Sequence, residues 1–209
     1  MARLVLLDND AALKLARYDL LDLALAALGC SRADVRVLPT ARYKLLPAKN
    51  RLLYCKDEAS ADRFAGFLDQ VQSIDTSRAD PSIDTLVAVP GIDTGEAHLF
   101  ALAAKEPAAI VVTGDKRGLR ALSGEPDVGM VATALAGRVI CAETLFRMMA
   151  GQDFRLTQTR VRAQSDVDKA LASIFGISTA ASRDSVTTGL ESYERALRAE
   201  TGTLLFQPP

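Results

Sequence analysis

Three acidic residues lie far apart in the sequence, each beside a segment that predicts a buried element of an α/β fold. Asp8 follows the apolar run 4–7, Asp115 follows a second apolar run at 108–112, and Glu96 begins an apolar helical segment. Ligands bind at the carboxyl ends of strands in an open parallel sheet. Carboxylates gathered there repel one another, which raises their pKa values unless a hard cation such as Mg²⁺ or Mn²⁺ neutralises them. The pattern therefore predicts a candidate metal site.

Two of these acids belong to the continuous segment 91–122. An apolar helix is predicted after Asp93, and Pro107 ends it because proline has no N–H to donate within a helix. Residues 108–112 form a short apolar run with β-branched members, which indicates a strand covered on both faces. A second helix follows Asp115. We therefore expect the order helix, parallel strand, helix.

Three segments of the chain together resemble the PIN domain family of metal-dependent ribonucleases. They are LVLLDND (4–10), TGEAHLFALA (94–103) and IVVTGDKRGLRAL (110–122), and the last two are similar to the subgroup with a "GEA…ALA…D…R" pattern. The resemblance extends over roughly residues 2–150. It implies hydrolysis of RNA at a Mg²⁺ or Mn²⁺ site held by Asp8, Glu96 and Asp115. Family members typically leave a 5′-phosphate and a 3′-hydroxyl, and they act as toxins of toxin–antitoxin pairs or in RNA processing.

The same resemblance implies contacts with the RNA backbone. Thr113 corresponds to a hydroxyl residue at the edge of the family's site, and Lys116 and Arg117 are expected to hold phosphates. Arg120, farther along the same helix, is expected to belong to an exposed face.

One position departs from the family's pattern. PIN domains usually carry an acidic residue in the helix after the second strand, whereas PTARYKLL (39–46) contains Lys44 and no carboxylate. Asp10 and Asp93 are the candidates to replace that ligand. Otherwise the site is weakened, since a lysine lowers metal affinity while favouring phosphate.

Residues 31–56 carry a local excess of positive charge. Asp34 is the single acid, against Arg32, Arg36, Arg42, Lys44, Lys49, Arg51 and Lys56, with Tyr43 and Tyr54 interleaved. Such a pattern favours a single-stranded RNA surface, with Arg42 and Lys44 as candidate contacts. A solvated region whose cations balance acids elsewhere in the fold is an equal alternative.

Each acid of the candidate site also has a structural interpretation. Asp8 or Asp10 has the position of an N-cap for the helix predicted over 10–28, and Asp115 has that position for the next helix. Asp93 and Glu96 have the spacing of a capping box. A capping carboxylate keeps a second oxygen, so these interpretations do not exclude metal ligation. His98, the single histidine, is more typical of a structural residue on an apolar helix.

The bulk composition bounds the class of protein. Its 209 residues and 49% hydrophobic content indicate a globular α/β protein, for which we predict three α/β/α layers around a mainly parallel sheet. The net charge of −1 gives no overall attraction to nucleic acid. An odd number of cysteines without metal-type spacing, and no membrane span, favour a cytoplasmic protein with reduced, buried thiols.

The remaining segments divide the chain into a nuclease-like domain, 1–151, and a C-terminal helical extension, 152–209. We predict strands at 35–38 and 138–141, helices at 57–72, 81–88 and 142–149, and a helix end at Gly151. Residues 152–165 are polar, and 166–200 predict a helical hairpin that packs on the first domain, forms a dimer or binds a protein partner.

Two other functions fit parts of the pattern. Asp8 and Asp10 form a D-x-D after a strand, as in haloacid-dehalogenase-like phosphatases, where Asp8 would be the nucleophile. No later metal motif of that family is present. A degenerate PIN-like domain that binds RNA or protein without cleavage is the other alternative, supported by Lys44.

Overall fold

The computed structural model describes residues 4–77 and 80–208 and contains a five-stranded, all-parallel sheet. The strands are β1 (Val5–Leu7), β2 (Val35–Val37), β3 (Gln72–Ser73), β4 (Ile110–Thr113) and β5 (Val139–Cys141). Their order across the sheet is β3-β2-β1-β4-β5. The helix predicted over 57–72 is too long, because the observed helix ends at Leu68 and Gln72 begins strand β3. This strand has no sequence signal, since it is two residues long, polar and exposed.

Thirteen helices surround the sheet in the described part of the chain. They are α1 (Asn9–Tyr18), α2 (Leu21–Leu28), α3 (Ala41–Leu45), α4 (Leu52–Cys55), α5 (Glu58–Leu68), α6 (Pro81–Ala88), α7 (Thr94–Lys105), α8 (Lys116–Gly124), α9 (Gly129–Ala134), α10 (Ala142–Gln152), α11 (Phe154–Ala163), α12 (Lys169–Phe175) and α13 (Arg183–Thr201). None of these described helices is long and apolar enough to cross a membrane.

Alternate residues of the strands β1, β4 and β5 enter two different apolar cores. In β1, Val5 and Leu7 pack among α1, α2, α5 and α10, whereas Leu6 packs on the opposite face with residues of α7 and α8. Both faces of the sheet are therefore covered, which explains why the central strands are continuous apolar runs. The predicted three-layer α/β/α architecture is confirmed.

The strand order reverses beside β1. Strands β2 and β3 lie on one side of β1, and β4 and β5 lie on the other. In a doubly wound sheet, the crevice outside the carboxyl ends of the strands at such a switch point is where ligands bind. Asp8 directly follows β1, and Asp115 follows β4 after Gly114. Two of the acids predicted to form the site therefore lie at this crevice.

The prediction of a single helix over 10–28 is wrong, because the first helix ends before Asp19 and a second begins at Leu21. Asp19 has a left-handed backbone (φ 56°), which aspartate tolerates better than most residues. Asp19 donates to the carbonyl of Ala16, and Leu20 donates to that of Leu15, which closes the helix. The turn separates α1, whose residues face the crevice, from α2.

The C-terminal extension contains one helix more than predicted. Residues 154–163 form α11, begun by Asp153, whose carboxylate accepts the amide of Leu156 at 2.9 Å. Gly151 does not end the preceding helix, since α10 continues to Gln152. The hairpin of α12 and α13 is present, and its apolar side chains join the main core, so the extension packs on the α/β layers. Leu205 adds a parallel bridge to Val139 of β5.

Candidate acidic site

A cavity of about 350 Å³ opens at the carboxyl ends of β1 and β4. Five acidic residues line it, and they are named the cavity acids here: Asp8, Asp10, Asp93, Glu96 and Asp115. The three acids predicted to form a site, and both proposed substitutes, therefore face one cavity. Its remaining walls are largely apolar side chains of α1 and α10.

Asp8 is placed by the sheet and not by a capping bond. Its backbone amide donates to the carbonyl of Val112 at 2.9 Å, which continues the pairing of β1 with β4. Although it occupies the N-cap position of α1, its side chain makes no capping hydrogen bond. The hydroxyl of Thr113 donates to the Asp8 carboxylate at 3.4 Å and accepts the amide of Asp115 at 3.1 Å. Thr113 thus links two cavity acids from a buried position.

Glu96 is held by the predicted capping box at the start of α7. The Asp93 carboxylate accepts the amide of Glu96 at 2.8 Å, and Glu96 Oε2 accepts the amide of Asp93 at 3.0 Å. Glu96 is only 4% exposed, and its other oxygen, Oε1, is buried with no hydrogen-bond partner in the described chain. A buried carboxylate oxygen without a donor is costly, and a cation or donor that reached this atom would remove the cost.

Asp115 both caps a helix and keeps an oxygen available. Its Oδ1 accepts the amides of Arg117 at 2.8 Å and Gly118 at 3.2 Å at the start of α8. Within the described chain its Oδ2 accepts only from the exposed guanidinium of Arg117, at a distance of 3.5 Å. The capping interpretation and the ligand interpretation use different oxygens of the same group.

Gly118 was not recognised from the sequence as part of the site. A Cβ at this position would lie 2.2 Å from Glu96 Oε1 and 2.6 Å from Glu96 Cδ. The carboxylate of Glu96 therefore packs directly on the backbone of α8, which no other residue type permits without displacing it. The signal available in the sequence is a glycine three residues after the third acid, within an otherwise regular helix.

The electrostatics of the cavity favour neutral or cation-bound carboxylates. Burial, together with the charges of Asp10 and Asp93, raises the pKa of Asp8 to about 7. Burial also raises the pKa of Glu96 to about 7, and the neighbouring Asp115, Asp93 and Asp8 add to the effect. Each shift is far from the ordinary carboxyl value and would be relieved by a bound cation.

The donor chemistry fits a hard divalent cation, although no closed ligand set is preformed. Within residues 4–77 and 80–208, no three histidine, cysteine or acidic side chains are grouped so as to hold a metal ion directly. Mg²⁺ commonly retains several water ligands and binds through one or two carboxylates, so a closed protein cage is not required. The available oxygens of Glu96 and Asp115, and the raised pKa values, match this donor requirement.

Lys116, which is predicted to bind phosphate, is not among the residues that line the cavity. Its Nζ pairs with Glu143 Oε1 at 2.5 Å and lies 4.8 Å from the ring centroid of Tyr193. Glu143 follows β5 at the same edge of the sheet, is 4% exposed, and has a buried Oε2 without a partner in the described residues. The sequence signal for Glu143 was an acid two residues after the last predicted strand.

Part of the basic segment 31–56 is tied to the residue that follows Asp8. The side chain of Asn9 donates to the Thr40 hydroxyl at 3.3 Å and accepts the amide of Leu38 at 3.2 Å, which ties the start of α3 to the residue after Asp8. Lys44 and Tyr43 of α3 are exposed, with Tyr43 79% accessible. Arg42 is exposed and pairs with Asp69, so its charge is partly compensated.

One charged residue of the cavity has no function predicted from the sequence. Lys14, in the second turn of α1, is the single cationic side chain among the described residues that line the cavity. Its Nζ lies 3.8 Å from the Cβ position of Gly114, between Thr113 and Asp115, and it forms an ion pair with Asp168 of the extension. His98 is not among the lining residues.

No protein-family model, curated protein or solved structure matches this chain. The functional assignment therefore depends on the site's own residues, together with the local resemblance of its three acidic segments.

Proposed function

We propose that this protein is a divalent-cation-dependent ribonuclease, as its resemblance to the PIN domain family implies. The observation that carries the proposal is the meeting of Asp8, Glu96 and Asp115 in one cavity at the switch point of the sheet. Two of these acids have pKa values of about 7, which a neighbouring cation would lower. Perturbed carboxylates in a cavity are typical of functional sites.

In this proposal Asp8, Glu96 and Asp115 hold Mg²⁺ or Mn²⁺, with Asp10 and Asp93 adding negative charge around it. Such a cation, when bound, lowers the pKa of water and stabilises charge on a phosphodiester. Thr113 orients Asp8 by donating to it, and the packing of Glu96 on Gly118 fixes the position of its carboxylate.

Single-stranded RNA is the proposed substrate. The exposed residues Tyr43 and Lys44 lie in α3, whose start is tied to Asn9 next to Asp8, so a strand leaving the cavity on this side meets an aromatic ring and a cation. Aromatic stacking and phosphate contacts together bind single strands without strong sequence preference. Buried thiols at Cys55 and Cys141 are compatible with a reducing, cytoplasmic setting.

The test is cleavage of a labelled, unstructured RNA in Mn²⁺ or Mg²⁺, beside EDTA. Asp115→Asn is expected to lower the cleavage rate about 100-fold or more. Asp153→Asn is the matched control, because Asp153 caps α11 as Asp115 caps α8 but lies outside the cavity. Asparagine caps helices as well as aspartate does, so both variants are expected to fold normally.

Equal loss of cleavage in the two variants would contradict the proposal. The second candidate function is RNA binding without hydrolysis. Lys44 favours it, since α3 carries this lysine and no carboxylate. Binding that persists in EDTA, with no cleavage by the wild type in either cation, would select the second candidate.

A further inference from the structure

A carboxylate of the C-terminal extension, Asp168, pairs with Lys14, a residue that lines the acidic cavity. Asp168 caps α12 through Oδ1, which accepts the amides of Ala170 and Leu171 at 3.0 Å each, and its Oδ2 pairs with Lys14. The side chains of Lys14 and Asp168 are 23% and 21% exposed, so the pair remains in contact with solvent and with its mobile ions.

The charge around Lys14 is unfavourable for an anionic substrate. Five acids line the cavity against this one lysine in the described chain, and Asp168 neutralises the lysine. A phosphodiester entering the cavity therefore meets net negative charge unless a cation compensates it. Lys14 Nζ lies close to Gly114, between Thr113 and Asp115, and is the one cationic donor among the described residues that line the cavity.

We propose that Lys14 binds a phosphate of the RNA strand in the cavity, and that Asp168 competes with that phosphate for the lysine. The extension thereby limits substrate binding through one exchangeable ion pair. Because this inference rests on the proposed function, it concerns how the same site receives its substrate.

A second ion pair between the same two parts of the chain provides a matched control. Arg17 lies one turn after Lys14 on α1 and pairs with Asp166 at 2.5 Å, two residues before Asp168. Neither Arg17 nor Asp166 lines the cavity. Removing the charge of Asp166 changes the net charge as much as removing that of Asp168, but it does not release Lys14.

The experiment measures binding of a fluorescein-labelled, unstructured RNA in EDTA by fluorescence anisotropy, over a range of salt concentrations. Lys14→Gln is expected to weaken binding about threefold to tenfold and to reduce the slope of log K against log salt by about 0.7, the value for one lost phosphate contact with a single strand. Lys14→Arg is expected to retain most of the affinity, since it keeps the charge.

Asp168→Asn keeps the cap of α12 and is expected to tighten binding by a similar factor, whereas Asp166→Asn is expected to change it less than about twofold. The Lys14→Gln, Asp168→Asn double variant is expected to bind like Lys14→Gln alone. Tightening by Asp168→Asn in the Lys14→Gln background, or equal tightening by Asp166→Asn, would overturn the inference, because the effect would then be one of general charge.

A parallel cleavage assay in Mn²⁺ separates this inference from the proposed function. If the wild type binds RNA and the variants follow the expected order, but nothing is cleaved, the nuclease assignment fails and the Lys14 inference stands. If the wild type cleaves and Lys14→Gln binds and cleaves normally, the inference fails alone. If the wild type neither binds RNA in EDTA nor cleaves it in Mn²⁺, both fail. If it cleaves RNA in Mn²⁺ without binding it in EDTA, the Lys14 inference fails alone.

Discussion

Two of the cavity acids, Asp8 and Glu96, and two aspartates elsewhere all lie at helix starts, but their pKa values are shifted in opposite directions. Asp57 and Asp80, named here the remote caps, accept backbone amides at the starts of α5 and α6. The amide of Ser60 lowers the pKa of Asp57, and the hydrogen bond from Lys105 lowers that of Asp80. In the cavity, burial and neighbouring acids instead raise the pKa values of Asp8 and Glu96 to about 7.

Capping alone therefore does not explain the raised pKa values of the acids in the cavity. A cap stabilises the charged carboxylate, as at the remote caps, because the helix amides point at it. Asp8 has the position of a cap but no capping bond, and Glu96 keeps a buried oxygen without a donor in the described chain. Such an arrangement costs stability in the absence of a ligand, which is typical of binding and catalytic sites.

Gly118→Ala is expected to have the largest effect on the cavity acids, on both stability and RNA cleavage. The added Cβ would overlap the Glu96 carboxylate, so either Glu96 or the start of α8 must move. We expect the free energy of unfolding to fall by roughly 1–3 kcal/mol, as for other overpacked sites, together with loss of RNA cleavage. Urea denaturation measures the first effect and the RNA assay the second.

Gly124→Ala is the control for that substitution. Gly124 ends the same helix, and a Cβ there would meet no atom within 4 Å. We expect unchanged or slightly increased stability, since alanine favours helix over glycine. A Gly118→Ala protein as stable and active as Gly124→Ala would show that the position of Glu96 does not matter.

A smaller effect is expected in the pH dependence of stability. Because the pKa of Asp8 is about 7 in the folded protein and near 3.8 otherwise, the folded state holds a proton that the unfolded state releases between these values. The free energy of unfolding contributed by this group therefore falls as pH rises from about 4 to about 7. In EDTA, Asp8→Asn is expected to stabilise the protein by roughly 1–3 kcal/mol at about pH 8, and much less at about pH 4.

Asp57→Asn is expected to show the opposite sign. The pKa of Asp57 is lowered in the folded state, so its charge contributes stability above the ordinary carboxyl pKa and loses it as pH falls. Its replacement is expected to cost a few tenths of a kcal/mol at about pH 8, because asparagine keeps the cap. If denaturation at both pH values gives the same sign for the two variants, the distinction between the cavity acids and the remote caps is wrong.

Much of the fold could be predicted from the sequence because the central strands are short apolar runs ending in polar residues. The runs at 4–7 and 108–112 predicted β1 and β4 nearly to the residue, and with them the approach of Asp8 to Asp115. The capping box of Asp93 and Glu96 could also be predicted from the sequence, because its spacing is fixed by the geometry of the first helical turn.

Long-range contacts could not be predicted in this way. The ion pair of Lys14 with Asp168 joins residues 154 positions apart, and no local pattern links them. Lys116 pairs with Glu143 and does not line the cavity. This contact depends on how α8 and α10 pack, which the sequence does not show. The break at Asp19 was missed because aspartate in a left-handed turn has no distinctive sequence signal when apolar periodicity continues on both sides.

The most direct test of the central claim is a calorimetric titration of the protein with Mn²⁺ at about pH 6, in buffers of different ionisation enthalpy. At that pH the carboxyl groups of Asp8 and Glu96 are largely protonated, since their pKa values are about 7, so cation binding must release protons. We predict saturable binding with net proton release in the wild type and in Asp57→Asn, and at least about tenfold weaker binding in Asp8→Asn. No binding by the wild type, or equal binding by Asp8→Asn, would contradict the assignment of the cavity acids as a cation site.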